Sequence, residues 1–263
     1  MKNINVHILG SNGWIGSELV KYFSSLKYNV IKVNRRNLDE WINSKDFKNI
    51  VIYAIGITGD FRSRIAESFE ANVSILNKVL QSQLGNIDHF IYLSSTRIYI
   101  RNSTTNEDEC IFLKSNQQSD FYNISKLMAE ALVLNNQNEN YKVLRLSNVL
   151  GVNQPKETFV GQLMHEANEN GNALILQSIK SAKDYISMED LTFYVEKIIT
   201  KGMYRIYNIA YGQNISHKDI ANWLYKKGFN ISFKEDSSEL FVPKEIDISR
   251  LLNEFKKPSY PLH

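Results

Sequence analysis

The sequence is poor in cysteine and has no long hydrophobic run. Its 263 residues include one cysteine, Cys110, so an intramolecular disulfide is excluded and a reducing compartment is expected. No stretch of about 18 apolar residues occurs, which argues against a membrane-spanning helix. The apolar run at the N-terminus is too short for a signal peptide. We therefore expect a cytoplasmic protein with no membrane partner.

Neither sign of charge dominates, and no metal motif is present. The 31 Lys and Arg residues nearly balance 28 Asp and Glu residues, giving a formal net charge of +3 without a dense basic block. Nucleic acid is therefore not an expected partner. The five histidines are scattered and show neither HxxxH nor CxxC spacing, so no metal site is expected.

Short apolar runs alternate with longer amphipathic segments in the first 150 residues. Strands are predicted for runs rich in β-branched and aromatic residues, at 5–9, 29–33, 50–56, 89–95 and 141–147. Helices are predicted between them at about 14–26, 62–82 and 120–136. Such alternation indicates right-handed βαβ units, and therefore a doubly wound α/β fold with a parallel sheet.

The pattern changes after Gly151. Helices are predicted at 157–171, 188–202 and 216–228, and strands at 173–177 and 205–210. We expect one domain over 1–150 and a small C-terminal α/β lobe over 151–263, with about 183–212 returning to the first domain.

Three glycines at a spacing of three follow the first predicted strand and open a helix. Gly10 permits the turn, Gly13 lets a phosphate approach closely, and Gly16 allows close packing of helix on strand. A plain strand-to-helix turn would need only one of them. The context therefore predicts a dinucleotide-binding domain with a Rossmann fold. Its predicted cofactor contacts are Gly10, Asn12, Gly13, Trp14, Ile15, Gly16, Ala54 and Gly56.

The end of the second strand bears on the choice of cofactor. The position where a carboxylate usually holds the ribose of NAD reads Asn34-Arg35-Arg36, and Asp39 comes several residues later. Arginine suits a 2′-phosphate because its guanidinium forms paired hydrogen bonds to phosphate oxygens. The alternative is a solvated loop with two ordinary arginines. The pattern favours NADP(H), with NAD(H) as the alternative.

A tyrosine and a lysine lie four residues apart in "YNISK". On a helix, Tyr122 and Lys126 would project from one face, so that the ammonium could stabilise a phenolate. The fourth strand ends in the hydroxyl residues Ser94, Ser95 and Thr96, one of which could bond a substrate oxygen beside the phenol. A chance Tyr–Lys pair and a strand end with local turn bonds are the simpler alternatives.

Several motifs in one order give the chain a family resemblance. It is similar to the extended short-chain dehydrogenases/reductases, in their branch of sugar-nucleotide epimerases, dehydratases and reductases. The resemblance rests on GxxGxxG (10–16), SSTRIY (94–99), YxxxK (122–126), LRLSNVLG (144–151), KDYISMEDL (183–191) and YNIAYGQNISHKDIA (207–221).

The resemblance implies roles for individual residues. Tyr122 would be the general acid and base, Lys126 would lower its pKa and bind the nicotinamide ribose, and Ser95 would polarise the reacting oxygen. Substrate contacts would come from Thr96, Arg97 and Asn148, while Asn72 would support the site. A nucleotide sugar is the implied small-molecule substrate. A homodimer is implied, formed by the helices at 62–82 and 120–136.

The chain also departs from that family. Dehydratases carry Thr-Asp-Glu where this chain has Ser95-Thr96-Arg97, so loss of water is not expected. Arg205 and Arg250 are the candidates for binding a diphosphate. The favoured reaction is NADP(H)-dependent reduction of a keto group on a nucleotide-linked deoxysugar. The alternatives are an epimerase that retains NAD and a non-catalytic dinucleotide sensor.

Overall fold

Six parallel strands form the central sheet of the protein. The structure, a computed structural model, describes residues 4–57, 59, 61, 63–234 and 240–263. The strands lie in the order β2-β1-β3-β4-β5-β9. Their bounds are Asn5–Leu9 (β1), Asn29–Val33 (β2), Lys48–Tyr53 (β3), Ile87–Ser95 (β4), Tyr141–Leu146 (β5) and Ile206–Ile209 (β9). The strand order reverses at β1, which places a crevice between the carboxyl ends of β1 and β3.

Helices cover both faces of this sheet. One face packs on α1 (Trp14–Ser25) and α7 (Met188–Lys201), and the core there includes Phe23, Leu191 and Val195. The other face packs on α2 (Leu38–Asn43), α4 (Ile75–Ser82) and α5 (Gln118–Leu134). Burial on both faces explains why the strands read as continuous apolar runs.

Two small sheets form the lobe beside the carboxyl ends of the main strands. One holds β10 (Asn214–Ser216), β8 (Ala182–Ser187) and β6 (Asn148–Leu150), and the other pairs β11 (Ile231–Phe233) with β7 (Ala173–Ile175). The lobe helices are α6 (Phe159–Asn170) and α8 (His217–Lys226), and α9 (Ser249–Glu254) lies beside β9. A third apolar core fills the lobe.

The predicted α/β class with its parallel sheet and smaller lobe is confirmed. Two elements of the first 150 residues differ from the prediction, and short strands of the lobe were not predicted. The third strand ends at Tyr53 and not at residue 56, because Ala54 to Gly56 turn along the crevice. The helix predicted at 62–82 is α3 (Ile65–Phe69), a π-helical turn (Glu70–Ser74) and α4 in succession. Residues 58, 60 and 62 lie outside the described residues.

Candidate active site

The glycine turn is closed by backbone hydrogen bonds, and a Cβ on Gly10 or Gly16 would collide with the backbone. Gly10 has φ +86, and a Cβ there would lie 2.8 Å from the Ala54 carbonyl. A Cβ on Gly16 would lie 2.1 Å from the Gly10 oxygen, and one on Gly13 would lie 3.2 Å from the same atom. Ser11, which the motif did not single out, fastens the turn to β2, because its hydroxyl donates to the Val33 carbonyl (3.1 Å).

The amino end of α1 has the features of an anion site. Gly13 is its N-cap residue, and no side chain caps the first turn. The first N–H groups of a helix have no partner within the helix, and the helix dipole favours negative charge there. Gly13, Trp14 and Ile15 border the crevice. The residues present therefore fit the pyrophosphate of a dinucleotide.

The turn after β2 presents two arginines at the surface. The Asn34 side chain accepts from the Arg36 backbone N–H (2.9 Å), so it holds the turn itself. The side chains of Arg35 and Arg36 are exposed, and neither forms an ion pair with another residue that the structure describes. Both guanidinium groups are therefore available to an anion at the edge of the sheet.

A cleft of about 780 Å³ separates the strand ends from the lobe. Most of the predicted site residues border it, namely Gly13, Trp14, Ile15, Ala54, Gly56, Ser95, Thr96, Arg97, Tyr122, Lys126 and Asn148. The remainder lie in the glycine turn or after β2, away from the cleft walls, namely Gly10, Asn12, Gly16, Asn34, Arg35 and Arg36.

Ser95, Arg97 and Tyr122 meet at the centre of the cleft. Ser95 ends β4 and its hydroxyl accepts from the Arg97 N–H (3.2 Å), which starts a 3₁₀ turn over Thr96–Tyr99. Burial raises the pKa of Tyr122 to about 12, while the Arg97 charge and a hydrogen bond with the Ser95 side chain act in the opposite direction. Arg97 thus brings a positive charge to the phenol from the position that is acidic in dehydratases.

Lys126 lies on the same face of α5 as Tyr122. Its Nζ is 5.9 Å from the centre of the Tyr122 ring and donates to the Leu93 carbonyl (2.9 Å). Burial lowers the pKa of Lys126 to about 8, against an opposing effect of Glu130. Gly56 stands opposite, where a Cβ would lie 3.9 Å from this ammonium. The missing side chain leaves open the space in front of Lys126.

Phe61 belongs to this site and was missed from the sequence. Its ring packs on Tyr122 with centroids 4.4 Å apart, and the Arg97 guanidinium lies 5.0 Å from its centre. Phe61 is in the irregular loop between β3 and α3, where no periodicity marks a residue as facing the cleft. Only the contact of its ring with Tyr122 identifies it.

A buried polar network holds the strand ends in register beneath the site. Glu130 on α5 accepts from the Ser94 hydroxyl (2.5 Å) and from the Arg145 guanidinium (2.8 Å). Arg145 on β5 also donates to the Tyr99 hydroxyl (2.5 Å). The network joins β4, β5 and α5, the elements that carry Ser95, Tyr122 and Lys126. The Ser94 hydroxyl donates its proton within this network, although Ser94 also borders the cleft.

Asn72 lies in the π-helical turn and is fully buried. Its amide donates to the Ser125 hydroxyl (3.0 Å), which is on α5, the helix of Tyr122 and Lys126. Its Oδ1 has no partner among the described residues and points toward Gly56, where a Cβ would lie 4.0 Å away. Asn72 therefore links α5 to the crevice wall, in line with the supporting role that the resemblance implies.

The polar residues of the lobe are arranged around Asp184. Asn148 donates to the Asp184 backbone carbonyl (2.9 Å), which fixes its side chain at the cleft. The Asp184 carboxylate accepts from the N–H groups of Tyr211 (3.0 Å) and Gly212 (2.7 Å), and burial raises its pKa to about 6. This carboxylate pins the turn after β9 and is not free to serve as a catalytic base.

Neither arginine that the sequence offered for a diphosphate faces the cleft. The Arg205 guanidinium donates to the Leu134 carbonyl (3.0 Å) at the far end of α5. Arg250 bonds to Asp108 and to the Ile206 carbonyl (3.1 Å). Both side chains brace the sheet edge, so this expectation was wrong.

The described residues contain no group of three metal-ligating side chains that could hold a metal ion. None of the helices in the described part of the chain has the length and apolar character needed to cross a membrane.

Solved structures with a similar fold cover nearly the whole chain. MoeE5 in complex with UDP-glucose and NAD is 17% identical, with a TM-score of 0.81, over 99% of this chain and 96% of that chain. UDP-glucuronic acid 4-epimerase from Bacillus cereus is 17% identical (TM-score 0.79; 98% and 95% covered). MlghC, the GDP-mannoheptose C4 reductase from Campylobacter jejuni with NADP bound, is 16% identical, with a TM-score of 0.80, over 99% of this chain and 95% of that chain. At these identities the likeness establishes the fold.

No curated protein sequence matches the chain significantly. The model of the NAD dependent epimerase/dehydratase family does match, over residues 6–210. That range holds the glycine turn, the Ser95–Arg97 strand end and the Tyr122–Lys126 helix, which the structure brings to one cleft. The chain therefore belongs to the NAD dependent epimerase/dehydratase family.

Proposed function

We propose that the protein is an NADP(H)-dependent reductase of a keto group on a nucleotide-linked sugar. The observation that carries this proposal is the meeting of Ser95, Arg97 and Tyr122 in one cleft with the glycine turn. A bound nicotinamide would supply the hydride. Tyr122 would donate its phenolic proton to the carbonyl oxygen, which becomes a hydroxyl, and Ser95 would hold that oxygen by a hydrogen bond.

Arg97 favours reduction over loss of water. Hydride addition builds negative charge on the sugar oxygen, and a nearby guanidinium stabilises such charge. The same group stays protonated in proteins and so cannot remove a proton from carbon, as the dehydratase acids do. Arg97 lies beside the phenol at the corresponding strand end. Among the neighbours, the reductase from Campylobacter jejuni and the epimerase from Bacillus cereus represent the two remaining reactions.

The substrate phosphates would lie against the lobe. Lys183 on β8 and Lys244 border the cleft there. The Lys183 ammonium is 4.8 Å from the centre of the Phe159 ring, next to the amino end of α6. We assign to these two lysines the diphosphate contact that Arg205 and Arg250 do not provide. Phosphate oxygens pair with lysine as a point charge, without the two-pronged geometry of arginine.

The preference for NADP(H) rests on Arg35 and Arg36. Both are exposed at the end of β2, where the adenosine ribose of a dinucleotide on the glycine turn would lie. Replacing both by serine should weaken NADPH binding by about ten-fold, since bonds to a charged phosphate are lost. NADH binding should stay within about two-fold.

Calorimetric titration of the two dinucleotides onto wild type and the Arg35→Ser/Arg36→Ser variant measures this. Lys32→Ser is the matched control, because Lys32 is an exposed cation on β2, just before the turn that carries the two arginines. Equal losses for NADPH and NADH in the double variant would argue against recognition of a 2′-phosphate.

We also propose a homodimer through α3 and α5. These helices contact each other at the surface, and Phe69 and Met128 are 47% and 51% exposed on them. The family resemblance implies that this pair of helices meets its copy across a two-fold axis.

A further inference from the structure

The segment between β6 and α6, residues 151–158, is closed by its own hydrogen bonds. The Gln154 side chain accepts from the Gly151 N–H (3.1 Å) and donates to the Thr158 hydroxyl (2.9 Å). Thr158 in turn is the N-cap residue of α6, with its hydroxyl accepting from the first turn of that helix. A displacement of Gly151 is therefore passed on to the amino end of α6.

This segment is fastened to the glycine turn by one side chain. Trp14, the first residue of α1, donates from its indole Nε1 to the Val152 carbonyl (2.8 Å). A Cβ on Gly151 would lie 3.3 Å from the Trp14 ring, so the two surfaces pack closely. The Val152 side chain itself is 71% exposed. The anchor is thus the indole and a backbone carbonyl.

The other side of the segment faces the substrate space. Gln154, Glu157 and Thr158 border the cleft. Gly59 packs against the segment so closely that a Cβ there would lie 1.9 Å from the Glu157 carbonyl oxygen. Gly59 belongs to the loop whose Phe61 covers Tyr122. The segment therefore lies between the cofactor turn, the substrate lobe and the loop over the phenol.

We infer that Trp14 is a positioning residue that couples the cofactor turn to the substrate lobe. A dinucleotide held on the first turn of α1 restrains Trp14, and the indole hydrogen bond passes this restraint to residues 151–158 and the start of α6. Cofactor binding thereby prepares the sugar-nucleotide side of the cleft. The inference rests on the proposed function in one respect, that the glycine turn binds a dinucleotide.

Hydrogen exchange with and without saturating NADP⁺ tests this coupling. In wild type, NADP⁺ should slow exchange in peptides covering 8–18 and 151–162. Trp14→Phe keeps a ring and removes the N–H donor. In this variant, the protection that NADP⁺ gives should persist at 8–18 and fall about five-fold at 151–162, which is the size expected for one lost hydrogen bond. Trp223→Phe is the matched control, since the Trp223 Nε1 has no partner within the described part of the chain.

A second variant tests whether the restraint passes along residues 151–158 to α6, while the Trp14 hydrogen bond that attaches the segment to α1 is kept. Gln154→Ala breaks the closure of the segment and leaves the Trp14 bond to the Val152 carbonyl, so protection by NADP⁺ should remain in the residues next to that carbonyl and be lost at the start of α6. Equal protection of 151–162 in wild type and Trp14→Phe would overturn the coupling. If neither NADP⁺ nor NAD⁺ protected residues 8–18 in wild type, the proposed function itself would fail.

Discussion

At the scale of residues, burial moves the pKa values of Tyr122 and Lys126 in opposite directions, and neighbouring charges oppose both shifts. Burial raises the pKa of the Tyr122 phenol, which keeps its proton and can act as an acid. Burial lowers the pKa of the Lys126 ammonium, which loses its charge more easily than an exposed lysine. Reduction needs both groups protonated, and of the two Lys126 deprotonates first as pH rises.

The pH dependence of reduction should therefore follow Lys126. We expect kcat/KM to fall as pH rises through about 8, where the pKa of Lys126 lies, because the ammonium that would bind the cofactor is lost. Tyr122, with a pKa of about 12, stays protonated over this range. A pH profile of kcat/KM measures the effect.

Lys126→Arg is the control, because arginine keeps its charge. Its residual activity should decline only at higher pH. A decline at the same pH in this variant would assign the titration to another group.

The pairing of Tyr122 and Lys126 was predictable from the sequence, because a spacing of four fixes one helix face. The contribution of Arg97 to the phenol was not, because it depends on how the 3₁₀ turn after β4 directs the side chain. Phe61 and the lobe lysines reach the cleft through loops and short strands that carry no periodic signal. The residue roles at the site stay predictions.

At the scale of elements, the glycines of the turn meet two different requirements. One is close packing of α1 on the sheet, and the other is space for a ligand. Gly16 is pressed against the Gly10 carbonyl, which serves packing of α1 on the sheet. Gly13 has only one close contact and borders the cleft, which serves the ligand. The turn and packing roles assigned to Gly10 and Gly16 from the sequence agree with this geometry, and the phosphate contact assigned to Gly13 stays a prediction. The strands β6, β8, β10 and β11 were missed because each is three to six residues long and pairs only within a small lobe sheet, without a long apolar run.

Two alanine variants should distinguish these requirements. Gly16→Ala should lower the free energy of unfolding by about 2–4 kcal/mol, because a backbone oxygen 2.1 Å away cannot yield without moving the turn. Gly13→Ala should unfold nearly as wild type, yet bind NADP⁺ about ten-fold more weakly.

Urea denaturation and dinucleotide titration on both variants measure the two effects. Gly85→Ala is a control for backbone strain without a steric clash, because its φ of +76 disfavours alanine while nothing lies within 4 Å of the added Cβ. Equal losses of stability at Gly13 and Gly16 would contradict the division of roles.

At the scale of the whole molecule, the alternation of apolar runs and amphipathic segments predicted more of the fold than any motif did. All six main strands were predicted close to their observed positions because burial on both faces of a parallel sheet requires apolar runs. The division into domains at residue 150 stays a prediction. The β9 strand, which follows the lobe elements in sequence, pairs with β5 in the main sheet.

The proposed dimer is tested at this scale. Met128→Glu should convert the protein to a monomer in sedimentation velocity, because a charge would be buried in the interface. Met203→Glu, at a residue that is 75% exposed after α7, should leave the assembly unchanged. A wild-type monomer at all concentrations would refute this assembly.

The central claim, reduction of a keto sugar by Tyr122 in this cleft, is tested most directly by reaction stoichiometry. The protein is incubated with NADPH and nucleotide-linked 4-ketosugars that carry uridine, thymidine or guanosine, and the oxidised cofactor and the reduced sugar are both quantified. We predict equal amounts of NADP⁺ and sugar alcohol for at least one substrate, and a loss of turnover of at least about 10²-fold in Tyr122→Phe with NADPH affinity retained. In a parallel incubation, isomerisation of the corresponding nucleotide hexose without net consumption of NADPH, together with no reduction of any ketosugar, would contradict the account and identify an epimerase.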